Sequence, residues 1–388
     1  MSSALRGATA IVGIGQTPYY KRGTAPENEQ KMCLRAIVGA CDDAGVDPAD
    51  IDGFVSYGSE MNAGQRLMPA LGTRELRFGA LMWTHGGGIP GAVGLAACAI
   101  VAGQADIVVV YRAMAENAGG RLRVAVAQSD TAAMHLVNGM DAPAQRLAMR
   151  TQRMLEAEGM PREAMRTLAM VDYYHAKNNP NAMGRHIDLD EETYESSRWI
   201  SEPFRVFDCS RENDAAAAVI VVSAERAKDL RQKPAYILSA PHGAPQGWGA
   251  LEENLTPYTS AGMIGLARRL WDESGYGPQD VDVAQIYDHF TGLGVAALKE
   301  HGFFTRESVS EFMTFKNLIA PKGGLPLNTS GGNLADGFIH GMGLVPEAVR
   351  QIRGQSVNQV PDVNLSLMTG GGSDMVVSTA LFGSEATL

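Results

Sequence analysis

The chain has 388 residues, of which 45% are hydrophobic and 20% charged, so it can bury a sizeable core and is too long for one minimal domain. Its formal net charge is −10 and its basic residues form no long run, which argues against nucleic acid as a partner. No apolar stretch reaches the roughly 18 residues of a membrane span and the N-terminus lacks a signal-peptide pattern, so we expect a cytoplasmic protein without membrane association.

A strand, a helix and a second strand are predicted at the start of the chain. Residues 10–15 form a short β-branched run that ends in glycine, as buried strands often do. Apolar side chains recur at helical spacing over residues 30–44, and Gly45 marks the end of this helix. Residues 51–57 are strand-like and complete the unit.

The next elements are a helix and a strand, after which the pattern is interrupted. The helix is predicted over residues 91–102 and the strand over residues 107–110. Residues 115–205 are rich in Arg, Met and Glu, with helical periodicity over residues 144–158 and 163–175. We expect this insertion to be a cap over the active face, and the alternative is a structural or dimer-facing helical subdomain.

The strand-helix-strand unit occurs twice in the sequence. Residues 272–287 match residues 42–57 without a gap, at a constant offset of 230 positions. The identical pairs are Asp42 and Asp272, Gly45 and Gly275, Pro48 and Pro278, Asp50 and Asp280, Asp52 and Asp282, and Tyr57 and Tyr287. A duplicated chain is therefore predicted.

Further elements of the second half follow the order of the first. A strand is predicted over residues 235–239, a later helix over residues 345–352 and a β-rich run over residues 363–367. Four elements in matching order indicate two duplicated βαβ-type halves, with a boundary between residues 225 and 234.

Neither a metal site nor a disulfide framework is expected. The cysteines are far apart in the sequence and have no CxxC spacing, so we expect buried apolar thiols at Cys33, Cys41, Cys98 and Cys209. The 8 histidines form no cluster with metal-ligand spacing, and no cofactor is predicted.

Two glycine-rich loops are candidate anion sites. His85 and three glycines precede Pro90, which stands where a first-turn proline would begin the helix over residues 91–102. The glycine amides would lie at the positive end of that helix and could bind an anion or oxyanion. A second loop, residues 367–374, follows a strand and can supply further amides. Either loop could instead need glycine only to make a tight turn.

Two polar loops complete the candidate site. Tyr287, Asp288 and His289 end the second copy of the repeat, and residues 328–341 form a glycine-rich loop that contains His340. A histidine in such a loop is often a hydrogen-bonded structural residue, but four polar loops at equivalent strand ends favour a functional role.

In these segments the sequence resembles the thiolase superfamily, specifically the sterol-carrier-protein-X-type thiolases and the related lipid-transfer-protein aldolases. The motifs occur in order over nearly the whole chain, in residues 10–18, 102–110, 207–218, 287–290 and 328–332. The resemblance implies an α/β thiolase fold, with two duplicated halves in a layered α/β/α/β/α arrangement and a helical cap. The N-terminal half would cover residues 1–114 and 206–230, the cap residues 115–205, and the C-terminal half residues 231–388.

The reactive positions depart from the thiolase pattern. The nucleophilic cysteine of the family falls at Gly86, and the family's His-Asp-Cys-Phe loop begins here with Tyr287. Its Gly-His-Pro motif has Phe338 in place of the histidine, and its C-terminal Cys-x-Gly has Met368 in place of the cysteine. Without a thiolate, Claisen condensation and thiolysis are disfavoured. An aldol or retro-aldol reaction needs no covalent intermediate, only a base and donors that stabilise an enolate.

The resemblance therefore implies a retro-aldolase, a carbon–carbon lyase. It would act on a 3-hydroxyacyl-CoA with a bulky side chain, such as that of a steroid, and release a short acyl-CoA with an aldehyde or ketone. The related aldolases use tyrosines at the positions of Tyr287 and Phe338, so here Tyr287 would take or relay the hydroxyl proton. His289 or His340 would assist in place of the missing second tyrosine. Asp288 would orient the loop or do chemistry, and His85 could be a substitute acid.

The remaining site residues are assigned to substrate binding. The amides of Gly86, Gly87 and Gly371 would hold the enolate oxygen, and Asn328 and Phe338 would line the substrate site. Two other functions stay open, namely an acyltransferase or thiolase that uses another thiol, and a non-catalytic acyl-CoA- or lipid-binding subunit. The thiol would come from Cys209 or from a partner subunit.

The resemblance also implies partners. A homodimer is expected, as is a small, separately encoded subunit of the OB-fold and zinc-ribbon type that binds acyl-CoA. A chain of net charge −10 would repel the CoA phosphates unless another chain compensates. The rival explanation is local charge from arginines in the insertion, namely Arg121, Arg123, Arg146, Arg150 and Arg153.

Overall fold

The structure is a computed structural model that describes residues 3–58, 60–84, 86–115, 130–245, 257–373 and 376–388. His85, Arg121 and Arg123 are outside the described residues. The strands are β1 Thr9–Gln16, β2 Tyr20–Lys21, β3 Gly53–Tyr57, β4 Phe78–Met82, β5 Ile107–Met114, β6 Trp199–Ser201, β7 Phe204–Arg205, β8 Asn213–Ser223, β9 Ala235–Ser239, β10 His242–Gly243, β11 Val283–Gln285, β12 Leu365–Thr369 and β13 Val377–Gly383.

The helices include four in the insertion, α4 to α7. In chain order the helices are α1 Glu29–Ala44, α2 Gly64–Leu71, α3 Ile89–Val101, α4 Asp130–Val137, α5 Pro143–Glu158, α6 Glu163–Ala176, α7 Glu191–Ser196, α8 Ala224–Ala227, α9 Ile264–Ser274, α10 Thr291–Glu300, α11 Val309–Phe312, α12 Phe315–Leu318 and α13 Leu344–Arg353. In the ranges that the structure describes, none of these helices combines the length and the apolar character needed to cross a bilayer.

The strand order repeats the duplication in the sequence. Hydrogen-bonded neighbours run β11-β12-β13-β9-β1-β8-β5-β3-β4, with β9 and β1 joining the two halves. Read outwards from that junction, β1-β8-β5-β3 in one half corresponds to β9-β13-β12-β11 in the other. The pairs β3 with β5 and β11 with β12 are parallel, as βαβ units require.

The helices form layers around these strands. α3 contacts β3 of its own half and β13 of the other, and α13 contacts both β12 and β1, so these two helices are central. α1 packs on β1 and β8, and α9 packs on β9 and β13. The predicted thiolase fold with two duplicated halves is confirmed.

The repeated sequence gives the same local structure twice. α1 ends at Gly45 with φ 75°, and α9 ends at Gly275 with φ 78°. This left-handed conformation is the one that glycine adopts without strain. A 3-10 turn and a strand follow each helix, and Tyr57 is the last residue of β3.

One expectation about the cysteines is wrong. Cys33 and Cys41 are buried, as expected, and Cys209 is half-buried, whereas Cys98 is exposed. Cys98 lies on α3 at a position that faces outwards, while Ala96, Ala97 and Ala99 are buried beside it. In a helix this rich in alanine, the sequence does not distinguish the outward face from the inward one.

Candidate functional site

Tyr287 is at the centre of the candidate site. It lies two residues after the end of β11, it is 3% exposed, and its backbone amide donates to Thr369 Oγ1 at 3.0 Å. A β-carbon built on Gly86 would overlap the Tyr287 hydroxyl oxygen and lie 2.6 Å from Cζ. The phenol therefore occupies the space that any side chain at position 86 would need.

Glycines also line both edges of the phenol ring. A β-carbon on Gly341 would lie 2.6 Å from Tyr287 Cδ2, and one on Gly371 would lie 3.0 Å from Cε1. The Phe338 ring is edge-on to the Tyr287 ring, with centroids 6.0 Å apart. This packing restricts the hydroxyl to one place, beside the start of α3.

That end of α3 carries the glycine amides. Gly86–Gly88 form a 3-10 turn, and Pro90 lies in the first turn of the helix, as predicted. The first amides of a helix have no acceptor within the helix and are at its positive end. Gly86 and Gly87 lie in the turn just before this positive end, which makes the turn a candidate oxyanion site next to the Tyr287 hydroxyl.

The second glycine loop supports the first. Ser378 Oγ donates to the Gly87 carbonyl oxygen, and the Gly370 amide donates to the Ser378 carbonyl oxygen at 2.8 Å. The Gly371 amide donates to the Gly86 carbonyl oxygen at 3.3 Å. In this structure the Gly371 amide therefore supports the Gly86 loop, which differs from the expectation that it would bind the enolate oxygen.

His289 lies next to the phenol as a neutral imidazole. Its ring is 4.8 Å from that of Tyr287, between centroids. Burial lowers the pKa of His289 to about 3, so the imidazole is uncharged at neutral pH. Its Nδ1 atom is buried and has no hydrogen-bond partner among the described residues. The same burial disfavours the imidazolium form, so His289 is a weak proton acceptor and is better suited to act as a neutral neighbour of the phenol.

His340 belongs to a separate group on the other side of Phe338. The rings of Phe338 and His340 are 5.0 Å apart between centroids, and Nδ1 of His340 is hydrogen-bonded to the Tyr57 hydroxyl. Arg112 on β5 contacts Tyr57 and pairs with Glu60. Sequence reasoning did not assign Tyr57, Arg112 or Glu60 to the site. The available signal was that Tyr57 is the repeat partner of Tyr287.

Asp288 and Asn328 hold the loops in place. Asp288 is fully buried and accepts hydrogen bonds from the backbone amides of Asn333 at 2.9 Å and Leu334 at 3.3 Å. Asn328 Oδ1 accepts from the Ile286 amide at 2.6 Å. Of the two roles considered for Asp288, the structure favours orientation, and it places Asn328 beneath the site as a support.

A buried carboxyl pair connects the insertion to this support. Asn328 Nδ2 donates to Asp172 on α6 at 3.4 Å. Burial and the neighbouring Asp288 carboxylate raise the pKa of Asp172 well above its ordinary value. Burial also raises the pKa of Asp288, but its backbone donors favour the carboxylate form. We therefore expect the pair to share one proton, held on Asp172.

The pair predicts opposite effects of two similar substitutions. Asp172→Asn should be at least as stable as the wild type, because an amide can replace the protonated carboxyl. Asp288→Asn should lose about 1–3 kcal/mol, because an amide nitrogen would face a backbone donor. A raised folded-state pKa means that the contribution of Asp172 is complete below its ordinary pKa and is lost as pH rises through the folded value. The advantage of Asp172→Asn should therefore grow with pH, and thermal midpoints at neutral and alkaline pH measure it. Equal losses in both variants would contradict the shared proton.

The arginines of the insertion differ in availability. Arg150 is 3% exposed and donates to the carbonyl oxygens of Tyr258 and Ser260, the latter at 3.2 Å. This arginine is engaged within the protein, whereas Arg146 is half-buried and Arg153 is exposed. Of the described arginines in the predicted set, Arg153 has the most solvent access to meet a phosphate.

The relatives found by comparison with known proteins agree with one another. Residues 252–383 match the family model described as "Thiolase C-terminal domain-like". The chain is 37% identical to a steroid side-chain-cleaving aldolase of Thermomonospora curvata, over 95% of this chain and 96% of the relative. It is 35% identical to a 17-hydroxy-3-oxo-4-pregnene-20-carboxyl-CoA lyase of Mycobacterium tuberculosis, over 95% of this chain and 97% of the relative.

A solved structure is similar over the full length. The protein described as "Ltp2-ChsH2(DUF35) aldolase" superimposes with a TM-score of 0.92 at 36% identity and covers 100% of both chains.

Proposed function

Because the chain belongs to the thiolase superfamily, in the branch of the steroid side-chain-cleaving aldolases, we propose that it is a lyase that cleaves a steroid 3-hydroxyacyl-CoA by a retro-aldol reaction. The relatives that support this assignment match almost the full length of the chain. The substrate named for the second of them carries a hydroxyl on the β-carbon of its thioester. Cleavage of such a substrate gives a ring ketone and a short acyl-CoA. These relatives favour an enzyme over a non-catalytic binding subunit.

The proposed reaction needs two proton movements and no acyl-enzyme. A base removes the β-hydroxyl proton, and the bond between the α- and β-carbons breaks. Its electron pair forms the enolate of the thioester, while the β-carbon becomes a carbonyl. A proton then adds to the α-carbon and completes the short acyl-CoA. Catalysis requires a proton acceptor at the hydroxyl and donors at the enolate oxygen.

The geometry offers groups for both tasks. Tyr287 would take or relay the hydroxyl proton, assisted by the adjacent imidazole of His289. The amides of Gly86 and Gly87 would stabilise the enolate oxygen at the start of α3. The observation that carries the proposal is the overlap between the Tyr287 hydroxyl and the side-chain space of Gly86. A proton-transfer group occupies the space in which the thiolase nucleophile would lie.

The test uses two matched thioesters and a third with an acyclic side chain. A steroid 3-hydroxyacyl-CoA should be cleaved without added CoA, because the retro-aldol reaction consumes no thiol. The same acyl-CoA without the hydroxyl should not react, because it has no proton whose removal forms a carbonyl. A 3-ketoacyl-CoA whose β-carbon lies in an acyclic side chain should not react even with CoA present. Thiolysis of the ketone substrate would refute the proposal in favour of a thiolase.

Cys209 is the remaining candidate for a covalent mechanism. Its thiol contacts the Arg205 carbonyl oxygen at 3.5 Å, and it is half-buried next to Phe290. Burial raises the pKa of Cys209, which opposes formation of the reactive thiolate.

We predict that Cys209→Ser keeps turnover within about tenfold of the wild type, because the thiol takes no part in the reaction. Buried Cys33→Ser serves as the control for general packing effects. Steady-state cleavage rates measure both variants. Abolished turnover in a folded Cys209→Ser protein would favour the acyltransferase alternative.

We propose a small, separately encoded subunit of the OB-fold and zinc-ribbon type as a partner. The similar solved structure is described with two component names, which supports a second chain in this branch. The net charge of −10 opposes binding of the CoA phosphates, and Arg150 is engaged within the protein, so a second chain that binds the phosphates would help. A homodimer is also proposed, since β4 is an edge strand among the described strands, and Leu81 on it and Trp83 just after it are exposed.

Co-expression with the small subunit should raise cleavage at least about tenfold over the chain alone, because the partner supplies acyl-CoA binding. Cleavage rates and acyl-CoA titration of the two preparations measure this effect. The same chain with an unrelated OB-fold protein is the control. Full activity and micromolar acyl-CoA affinity of the isolated chain would show that no partner is needed.

A further inference from the structure

A short segment in front of β8 lies alongside the end of the loop that carries the candidate site. Residues 208–210 run antiparallel to residues 289–291. The Ser210 amide donates to the His289 carbonyl oxygen at 2.9 Å, and the next pair of residues in the two segments forms a β-bridge. The end of the loop is therefore paired with the N-terminal half of the chain.

Asp208 extends this pairing to the first turn of α10. Its carboxylate accepts a hydrogen bond from the Thr291 hydroxyl at 2.6 Å, and Thr291 is the first residue of α10. The same carboxylate accepts from the Arg205 amide at 2.7 Å and from the Tyr194 hydroxyl at 2.7 and 2.8 Å. Asp208 is completely buried, and hydrogen bonds to a buried carboxylate are strong. The Thr291 hydroxyl is thus fixed in one place.

The insertion packs on α10 from its first turn to its last. Tyr194, which donates to Asp208, belongs to α7 of the insertion. A β-carbon on Gly292 would overlap the side chain of Thr151 on α5, so the two helices are in close contact there. At the far end of both helices, Glu158 of α5 forms an ion pair with Lys299 of α10. The insertion therefore sets the position of α10.

The middle of the Tyr287 loop is anchored on the other side, to the C-terminal half. The Tyr287 amide donates to Thr369 at 3.0 Å, and Asp288 accepts from the Asn333 amide at 2.9 Å. Asp208 adds an anchor from the opposite half. A shift of about 1 Å in a catalytic group can cost about 10²-fold in rate, so both anchors matter for the alignment of the phenol.

We propose that Asp208 is a positioning residue, which transmits the position of the insertion to the Tyr287 loop through the first turn of α10. This inference rests on the proposed lyase function and gives the insertion a role in aligning the catalytic groups. Asp208 transfers no proton to or from the substrate. It holds Thr291, and Thr291 fixes the end of the loop. Without this hydrogen bond the turn shifts, and the Tyr287 hydroxyl loses its alignment with the Gly86 turn.

The kinetic test compares two substitutions at Thr291. Thr291→Val keeps the shape and removes the hydroxyl, so turnover should fall about tenfold or more, while the Michaelis constant stays within about threefold. Thr291→Ser keeps the hydroxyl and should retain turnover within about threefold of the wild type. Thr305→Val removes an exposed hydroxyl that donates to Glu307 at 2.8 Å, and it should leave turnover unchanged. Equal turnover in folded Thr291→Val and Thr291→Ser proteins would overturn the proposal.

A double-mutant cycle with Tyr287 separates positioning from a general effect on the fold. In the Tyr287→Phe background, Thr291→Val should cause less than about threefold further loss, because the Thr291 hydroxyl acts through a phenol that is already absent. The same factor of loss in both backgrounds would contradict the positioning role.

Tyr194→Phe tests the side of Asp208 that faces the insertion. It removes the donor on α7 and leaves the hydrogen bond from Thr291 in place. Turnover should fall about threefold or more, and Thr291→Val should then cost less than it does in the wild type. Losses that multiply fully would show that the two hydrogen bonds act separately, and would contradict transmission from the insertion.

The ring of His289 offers a measure of loop position that does not depend on activity. It lies 4.8 Å from the Tyr287 ring and 5.0 Å from the Phe290 ring, between centroids. The chemical shifts of its ring protons therefore respond to small movements of the loop.

NMR of histidine-labelled protein keeps the proposal separate from the lyase assignment. Tyr194→Phe and Thr291→Val should each move the His289 signal, which is assigned by its loss in His289→Gln, whereas Thr305→Val should leave it in place. An unmoved signal in Tyr194→Phe would overturn the inference even in an active enzyme, and this variant suffices if Thr291→Val does not fold. Failure of the wild type to cleave any steroid 3-hydroxyacyl-CoA would refute the proposed function and leave the movement of the loop measurable.

Discussion

Tyr287→Phe should lower cleavage of a steroid 3-hydroxyacyl-CoA at least about 10²-fold and leave the fold intact. The substitution removes one hydroxyl, and it keeps the ring that packs between Gly341, Gly371 and Phe338. The missing oxygen is the one that overlaps the side-chain space of Gly86, beside the amides at the start of α3. Turnover numbers and Michaelis constants of the variant and the wild type measure the effect.

The control for Tyr287→Phe is Tyr276→Phe. The Tyr276 hydroxyl also makes a hydrogen bond, to the Thr387 carbonyl oxygen at 3.1 Å, but it is next to the C-terminus. The Tyr276→Phe variant should keep turnover near that of the wild type. Near wild-type turnover in Tyr287→Phe would remove Tyr287 from the proton-transfer step, whatever the control shows.

Gly86→Ala should be at least as damaging, with a loss of about 10²–10³-fold in turnover. The added methyl group would occupy the place of the Tyr287 hydroxyl, and the phenol cannot retreat because Gly341 and Gly371 pack against both ring edges. Either the phenol or the Gly86 turn must move, so the proton acceptor and the oxyanion donors lose their alignment. Steady-state kinetics measure the loss, and circular dichroism shows whether the fold persists.

Gly265→Ala is the matched control. A β-carbon at Gly265 on α9 meets nothing within 4 Å. The same chemical change in this helix should leave turnover unaltered and add slight stability, because alanine favours helix over glycine. If Gly86→Ala retained wild-type turnover with a native fold, the close approach of Tyr287 to Gly86 would not contribute to catalysis.

The sequence predicted the regular elements of both halves well because local signals specify them. The helix over residues 30–44 and the strand over residues 235–239 correspond closely to α1 and β9. The duplication could be recognised in the sequence because glycine caps and proline turns recur at one offset. Strand order across the junction of β1 and β9 depends on contacts between the halves, which local patterns do not encode.

The site was predictable in part. The resemblance to known aldolases predicted Tyr287 and Gly86 as site residues, and the structure places them in contact. The contacts of His340 with Tyr57 and Arg112 were not predicted, because these residues come from distant segments and meet only when β3, β5 and the later loop assemble. The engagement of the Gly371 amide with Gly86 likewise follows from the packing of two loops.

The most direct test of the non-covalent retro-aldol mechanism is a single-turnover reaction of the chain with a steroid 3-hydroxyacyl-CoA, with the small subunit present. The steroid ketone, the short acyl-CoA and the intact mass of the protein are recorded at each time point. Our account predicts that ketone and acyl-CoA form in equal amounts without any added thiol, while the protein mass stays constant throughout. A transient acyl adduct on the protein that forms and decays at the rate of product release would contradict it.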